Sequence, residues 1–414
     1  MSIAFQPSEL FEGELDKSLG DNEDAEPDRG VASDTVQSAS SSADRDDTSE
    51  TGAEEPTSTE ENRPNEEPLR IRSSLRVIEP QGSALALRYG AVLSDLDGVV
   101  YAGPAAVPGA TEALEKLKDI GVALAYITNN ASRSSAEVAA HLRELGAPAT
   151  AEQVFGSALA GAELLARQVP AGATVLVTGS AVLARHVAEQ GLVPVTTADP
   201  LPDAVIQGFE PTLGWKDLAE AAFAVAGGAV WVATNTDMSI PQVRGFAPGN
   251  GALVAAVSAA TGKAPMVAGK PEAQLFTTAA DHLGVEMALV VGDRLDTDIL
   301  GGNRAGMGTA LVLTGVDTAE NALAAVTDQR PTYLFADLGQ LHQPYPDITE
   351  RNGVYTCGES HANVEDGVVV MGGGRENLDT WRAGCAAWWA AQPGQNTAIL
   401  PPLRFLDEEG DPQK

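Results

Sequence analysis

Four groups of polar residues in this sequence combine acids, one amine and hydrogen-bond donors in a pattern that could carry out chemistry. Each group follows a short apolar run or opens a helical pattern. Such runs are typical of buried strands in a parallel sheet, and the carboxyl ends of parallel strands face one crevice. The groups are Asp95 with Asp97, Thr128 with Asn129, Lys270, and Asp293 with Asp298.

The charges of these residues predict a metal site. Three carboxylates that share a crevice with one lysine repel one another, and their pKa values rise unless a cation compensates. A hard divalent ion with oxygen ligands meets that need. We therefore expect Mg²⁺ as the cofactor.

The same residues suit phosphoryl transfer, in which the charge on the equatorial phosphoryl oxygens has to be neutralised. Asp95 can attack phosphorus as a carboxylate nucleophile. Asp97, two residues further on, can protonate the leaving oxygen and then activate the hydrolytic water. Asp293 completes the metal site, while Lys270 and the Thr128–Asn129 donors hold the phosphoryl oxygens.

The segments that must position these residues alternate between strand and helix patterns, which predicts a doubly wound parallel sheet of the α/β class. A second alternating series starts at Gly172, and the first resumes near Val267. A core interrupted by an inserted domain explains this order. The predicted divisions are an acidic tail at 1–68, the first part of the core at 69–170, the inserted domain at 171–265, the second part of the core at 266–340 and a small module of unknown role at 341–414.

Composition limits the partners and the compartment. The 414 residues carry a formal net charge of −32, much of it before Leu69 in a tail that we expect to be disordered. This acidic balance argues against nucleic acid or an anionic membrane as a main partner. No apolar run is long enough to span a bilayer, and we expect no signal peptide at residues 1–10, which lack a basic start and a long apolar core. Because the chain has only two cysteines, we expect no disulfide framework and a cytoplasmic location.

Four motifs in this order resemble those of the haloacid dehalogenase-like phosphatases. The resemblance covers roughly Tyr89 to Asp337 and is specific as an ordered set. It is strongest to the subfamily with a large α/β cap of the C2 type between the second and third motifs, which includes NagD-like, p-nitrophenyl phosphate and phosphoglycolate/pyridoxal phosphatases. The motifs are Asp-Leu-Asp-Gly-Val from Asp95, Ile-Thr-Asn-Asn from Ile127, Gly-Lys-Pro from Gly269 and Gly-Asp-Arg-Leu-Asp-Thr-Asp-Ile from Gly292.

The resemblance implies a Rossmannoid core with an inserted cap, and it implies roles for individual residues. Asp95 would be the nucleophile and Asp97 the general acid and base. Mg²⁺ would be bound by Asp95, Asp293 and the backbone carbonyl of Asp97. The phosphate ligands would be Thr128, Asn129 and Lys270.

Two further polar residues in these motifs have alternative interpretations. Asp298 could contact the metal through water or orient Lys270, but an acid at a helix start is also favoured by the helix dipole. Asn130 could donate a hydrogen bond to the phosphate or simply form a turn. We expect Arg294 and Asp296 to be exposed loop residues.

The cap loop at 236–251 is expected to close over the leaving group and so to decide the substrate. Pyridoxal phosphatases of this family place a histidine where Ile240 stands, which disfavours vitamin B6 phosphate. The loop instead resembles that of actinobacterial enzymes acting on glycerol 3-phosphate, our leading candidate for a small-molecule phosphomonoester substrate. The alternatives are phosphoglycolate, p-nitrophenyl phosphate, a nucleotide or a sugar phosphate, or a phosphotransferase reaction at the same site. The sequence leaves a homo-oligomer open.

Removing the residues before Leu69 should leave catalysis unchanged, because the tail contains none of the candidate site residues. The measurement is kcat/KM for phosphate release by the full chain and by the truncated chain. A severalfold loss of kcat/KM on truncation would show that the tail contributes to the site.

Overall fold

The computed structural model describes residues 82–242 and 244–406, without the side chains of 241 and 242. The acidic tail and most of the linker after it therefore lie outside the described residues. Among the described helices, none has the length and apolar composition needed to cross a bilayer.

The first part of the core begins with a fully buried strand and alternates strands with helices. Ser134 starts the second helix with a capping box, in which its hydroxyl accepts from the Glu137 N–H and the Glu137 carboxylate accepts from the Ser134 N–H. The elements are β1 Ala91–Ser94, β2 Tyr101–Ala102, β3 Ala105–Ala106, α1 Ala110–Asp119, β4 Ala123–Thr128, α2 Ser135–Glu144, β5 Val154–Gly156 and α3 Ser157–Ala166.

A second parallel sheet follows, with strand order β12-β9-β8-β6-β7. We call this sheet and its helices the cap. Its elements are β6 Thr174–Thr178, α4 Ala181–Glu189, β7 Val193–Val195, β8 Ala204–Gln207, α5 Trp215–Gly227, β9 Val230–Ala233, β10 Ser239–Gln242, β11 Gly245–Pro248, α6 Asn250–Thr261 and β12 Met266–Val267.

The chain then returns to the core and completes a six-stranded parallel sheet in the order β15-β14-β13-β1-β4-β5. β1 is central and pairs with β13 from the second part of the core and with β4 from the first. The fold class is confirmed. The elements are α7 Gln274–Leu283, β13 Ala288–Gly292, α8 Leu300–Arg304, β14 Gly308–Val312, α9 Ala319–Ala324 and β15 Tyr333–Phe335.

The last segment forms a five-stranded mixed sheet with one long helix. Leu323 of α9 shares an apolar cluster with Met371, Trp381 and Cys385, so this module packs against the core. Both cysteines of the chain are buried and free. The elements are β16 Ile348–Arg351, β17 Val354–Cys357, β18 Ser360–Glu365, β19 Val368–Gly372, α10 Leu378–Ala391 and β20 Leu403–Leu406.

The structure adds elements that the sequence pattern did not predict. The cap loop at 236–251 contains the antiparallel hairpin β10–β11, in which Ile240 pairs with Ala247. Three strands of the C-terminal module, β16, β18 and β20, were also missed. Strand β12 pairs with β9 of the cap, so Met266 and Val267 belong to the cap sheet although the proposed boundary lies at 265.

Replacing Leu93 by alanine should lower the free energy of unfolding by about 2–5 kcal/mol, because the change leaves a cavity in the core. Leu93 has 0% exposure and lies in one apolar cluster with Phe276 and Val290. The matched control is Leu87→Ala, since Leu87 is 43% exposed. Urea denaturation of both variants is the measurement, and equal losses would contradict the assignment of Leu93 to the core.

Candidate active site

Three neighbouring strands of the core sheet end at the same crevice. Asp95 follows β1, Thr128 ends β4 and Asp293 follows β13. Because β1 lies between β13 and β4, these residues come from adjacent strands although they are far apart in sequence. The N–H of Asp95 donates to the carbonyl of Val291, which continues the sheet to the start of the site.

Lys270 lies in the middle of this crevice and is 5% exposed. Its Nζ donates to Asp95 Oδ1 at 2.6 Å and to Asp298 Oδ1 at 2.7 Å. Burial acts to lower the pKa of Lys270, but the carboxylates of Asp298 and Asp95 outweigh it and raise the pKa above its ordinary value. Lys270 is therefore a charged ammonium ion between two acids.

The acids form a cluster that could hold a metal ion. One carboxylate oxygen each from Asp95, Asp293 and Asp298 lies within 4.8 Å of the others. Burial raises the pKa of Asp293 to about 6, helped by the charge of Asp298, and burial with the charge of Asp95 does the same for Asp298. Burial also raises the pKa of Asp95, against the opposing effect of Lys270. Crowded oxygen donors of this kind fit a hard divalent cation.

Backbone geometry holds Asp293 against the turn that follows β1. Its Oδ2 accepts from the Val316 N–H at 2.8 Å. Gly98 has a φ of 77°, and a side chain there would collide with the Asp293 carboxylate. The glycine of the first motif is thus required both by its left-handed backbone and by the close approach of Asp293.

Asp97 lies in the same turn but on its exposed side. The Tyr101 hydroxyl donates to Asp97 Oδ2 at 3.4 Å, and the Tyr101 ring makes an edge contact with His141. The turn is closed by hydrogen bonds from the Gly98 N–H to the Tyr101 carbonyl and from the Tyr101 N–H to the Leu96 carbonyl. Asp97 is therefore open to a ligand that enters the crevice.

The residues of the second motif have different surroundings. Thr128 Oγ1 accepts from the Asn130 N–H at 3.1 Å. Asn130 is exposed, and its side-chain oxygen accepts from the backbone of Ser132 and Arg133, which is the turn that the sequence left open. The side chain of Asn129 instead contacts the backbone of Lys270 and the carboxylate of Asp237.

Of the three interpretations of Asp298, the contact that would orient Lys270 is present, and Asp298 Oδ2 also accepts from the Arg294 N–H at 3.2 Å. Arg294 and Asp296 are exposed, as expected, and form a bidentate ion pair. Arg244 of the cap loop is exposed as well.

The sequence predicted no individual role for two residues at the site, Tyr101 and Asp237, although Asp237 lies in the cap loop at 236–251. Asp237 follows β9 of the cap in the run Thr-Asn-Thr-Asp, and is half-buried. The signal was present, because this run also puts polar residues directly after an apolar strand.

Two regions of the chain match models of one group of enzymes. Residues 92–193 match the family described as haloacid dehalogenase-like hydrolase. Residues 267–341 match the related family described as HAD-hydrolase-like. These two regions contain Asp95, Asp97, Lys270, Asp293 and Asp298.

Two named phosphatases are similar in sequence to more than half of this chain. The chain is 50% identical over 260 residues to a D-glycerol 3-phosphate phosphatase of Mycobacterium tuberculosis, which covers 63% of this chain and 73% of the relative. It is 39% identical over 255 residues to an acid sugar phosphatase of Staphylococcus aureus, which covers 61% of this chain and 96% of that protein.

Solved structures agree with the sequence comparisons. A glycerol phosphate phosphatase from Mycobacterium tuberculosis, crystallised in complex with calcium and with magnesium, superimposes with TM-scores of 0.71 and 0.69. The sequence identity is 42% and 43%, and each alignment covers 78% of this chain and 95% of the other. With these matches the resemblance of the four motifs is confirmed: the chain belongs to the haloacid dehalogenase-like hydrolase family and is a phosphatase of that family.

Proposed function

We propose that this phosphatase hydrolyses small phosphomonoesters through a phosphorylated Asp95, with glycerol 3-phosphate as the leading substrate. The observation that carries the proposal is the position of Lys270, whose Nζ lies 2.6 Å from the Asp95 carboxylate in a crevice shared with Asp293 and Asp298. A carboxylate held beside an ammonium ion at the end of a buried strand can act as a nucleophile towards an anionic phosphate, because the cation offsets the repulsion between the two anions.

The reaction takes place in two steps at this site. In the first, an oxygen of Asp95 forms a bond to phosphorus while the bond from phosphorus to the leaving oxygen breaks, and Asp97 gives its proton to that oxygen. In the second, Asp97 takes a proton from water, and the water oxygen displaces Asp95 from phosphorus. Free phosphate leaves, and both acids return to their starting states.

The remaining residues hold the phosphoryl group during both steps. We propose that Lys270 and the hydroxyl of Thr128 bind phosphoryl oxygens, and that Asn129 and Asn130 belong to the same phosphate-binding loop. Asp298 keeps the Lys270 ammonium in place through the 2.7 Å contact. Orienting the group in line with the nucleophile is a large part of the catalysis of phosphoryl transfer.

The acid cluster fits a divalent metal ion, and we propose Mg²⁺. Asp95, Asp293 and the backbone carbonyl of Asp97 would bind the ion, and Asp298 would lie nearby without binding it directly. When bound, the ion supplies positive charge that neutralises the phosphoryl oxygens in the transition state. The magnesium complex of the M. tuberculosis enzyme supports this choice. Its calcium complex makes Ca²⁺ the ion with which Mg²⁺ has to be compared.

The substrate assignment is supported by the relative that acts on D-glycerol 3-phosphate, whose alignment at 50% identity spans 260 residues. The 39% identity to an acid sugar phosphatase favours sugar phosphates as the second candidate. The strongly acidic chain supports small molecules rather than nucleic acid as partners, and we propose a cytoplasmic location from its two unpaired cysteines.

A phosphate-release assay over a panel of phosphomonoesters tests the proposal. The panel contains glycerol 3-phosphate, sugar phosphates, phosphoglycolate, p-nitrophenyl phosphate and a nucleotide, each with Mg²⁺, with Ca²⁺ and with a chelator. We expect the highest kcat/KM for glycerol 3-phosphate with Mg²⁺ and none with the chelator. Higher kcat/KM for a sugar phosphate would select the second candidate. Loss of substrate only in the presence of an acceptor alcohol, with the phosphoryl group on that alcohol and no free phosphate, would indicate a phosphotransferase.

Asp95→Asn should abolish phosphate release while the fold is retained, because a carboxamide is a far weaker nucleophile than a carboxylate. Asp97→Asn should also disable turnover, through loss of the proton donor. Phosphate release and circular dichroism of each variant are the measurements. Substantial residual turnover by Asp95→Asn would rule out Asp95 as the nucleophile.

Lys270→Met should destabilise the metal-free protein by about 3–5 kcal/mol, because it leaves the buried Asp95 and Asp298 carboxylates without their cation. The same variant should lose phosphatase activity. The matched control is Lys216→Met, since Lys216 is an exposed residue of the cap helix α5. Urea denaturation in the presence of a chelator is the measurement, and a loss no larger than that of the control would show that Lys270 does not balance the acids.

A further inference from the structure

The side-chain amide of Asn129 joins the core to the cap. Its Oδ1 accepts from the Lys270 N–H at 2.8 Å, and its Nδ2 donates to the Lys270 carbonyl at 3.1 Å. The same Nδ2 lies 3.2 Å from both carboxylate oxygens of Asp237. One carboxamide therefore contacts both backbone polar groups of Lys270 and an acid of the cap.

The carboxylate of Asp237 favours one of the two orientations of this amide. A carboxylate only accepts hydrogen bonds, so it selects the orientation in which Nδ2 faces it. In the opposite orientation Asn129 Oδ1 would face the carboxylate, and Nδ2 would face the Lys270 N–H. Both pairings would be repulsive, so Asp237 helps to select the one orientation that matches both backbone groups of Lys270.

Asp237 is itself held firmly within the cap. Its N–H donates to Asn235 Oδ1 at 3.2 Å, and the Asn235 carbonyl accepts from the side chain of Asn250, the first residue of α6. Asn235 Nδ2 also donates to the Asn129 carbonyl at 2.8 Å. Asp237 therefore contacts Asn129 from a loop that these hydrogen bonds hold in place.

The cap approaches the Lys270 segment closely at this point. The Gly269 N–H donates to the Thr234 carbonyl at 2.7 Å. A side chain at Gly269 would collide with that carbonyl and with the Asn129 amide, so only glycine allows the approach. The residue before Lys270 is therefore fixed against the cap on one side, and Lys270 itself is bound to Asn129.

We propose that Asp237 is a positioning residue for the phosphatase reaction: it orients the Asn129 amide, which holds the Lys270 backbone so that Nζ stays between Asp95 and Asp298. This role deepens the proposed function and rests on it. Asp237 acts through Lys270, which binds the phosphoryl group that all substrates share. The contribution of Asp237 to kcat should therefore be the same for every leaving group.

Three variants test this role. Asp237→Ala withdraws the acceptor from Asn129, and Asp237→Leu does so while keeping the number and branching of the side-chain heavy atoms. Asp237→Asn keeps an oxygen that can face Asn129 Nδ2. The control is Glu189→Ala, which removes an exposed acid of the cap helix α4 and so makes the same change in net charge.

We expect Asp237→Ala and Asp237→Leu to lower kcat about tenfold or more, the value of a hydrogen bond to a charged group, with a smaller change in KM. The loss should be equal for glycerol 3-phosphate and for p-nitrophenyl phosphate, whose leaving group has no aliphatic hydroxyls. Asp237→Asn should recover most of the rate, and Glu189→Ala should match the unchanged protein. Amide hydrogen exchange at Lys270 should be faster in Asp237→Ala and Asp237→Leu than in the control.

The outcomes that overturn the proposal are distinct. A loss confined to glycerol 3-phosphate would make Asp237 a contact for the leaving group. An equal loss in Asp237→Asn would show that the charge and not the acceptor matters. An unchanged kcat together with unchanged hydrogen exchange at Lys270 in Asp237→Ala and Asp237→Leu would show that Asp237 has no positioning role. If the unaltered protein releases no phosphate from any substrate of the panel, the proposed function is refuted. Hydrogen exchange at the Lys270 amide needs no substrate, so it still tests the positioning role of Asp237 in that case.

Discussion

The Lys270 ammonium lies between two acids, 2.6 Å from Asp95 and 2.7 Å from Asp298, and the rest of the site depends on this arrangement. Removing an ion from water costs several kcal/mol unless an opposite charge and hydrogen bonds compensate. With Asp293 included, three acids face one base, which leaves two negative charges in excess. A divalent cation supplies two positive charges, so the electrostatics of the site fit the divalent ion that we propose.

The parallel sheet makes this concentration of charge feasible. Its central strand β1 is flanked by β13 and β4, so the three strand ends bring Asp95, Asp293 and Thr128 together although they are far apart in sequence. The interior of the sheet is apolar, and the polar groups begin only where the strands end. The fold therefore confines the unfavourable charges to one edge, where substrate and metal can reach them.

The cap and the C-terminal module stand in different relations to this edge. The cap contacts the crevice through residues 234–237, which follow β9 and meet the Asn129 and Lys270 segments. The C-terminal module packs against the core through α9 and α10, and it contributes none of the contacts described here for the acid cluster. The cap is thus part of the site, while the module buries an apolar face of the core.

The sequence by itself determined the fold class, the alternation of strands and helices and the identity of the acids, because these are local patterns: an apolar run that ends in Asp95 is visible in ten residues. Short strands of mixed polarity such as β16 and β20, and the hairpin β10–β11, carry too weak a periodicity to be recognised in the same way. Only the tertiary structure decided which partners meet. Lys270 is 175 residues from Asp95, and Asp237 is 108 residues from Asn129. Hydrogen bonds between such residues depend on how distant segments pack against each other, and the spacing of residues along the chain does not show this packing.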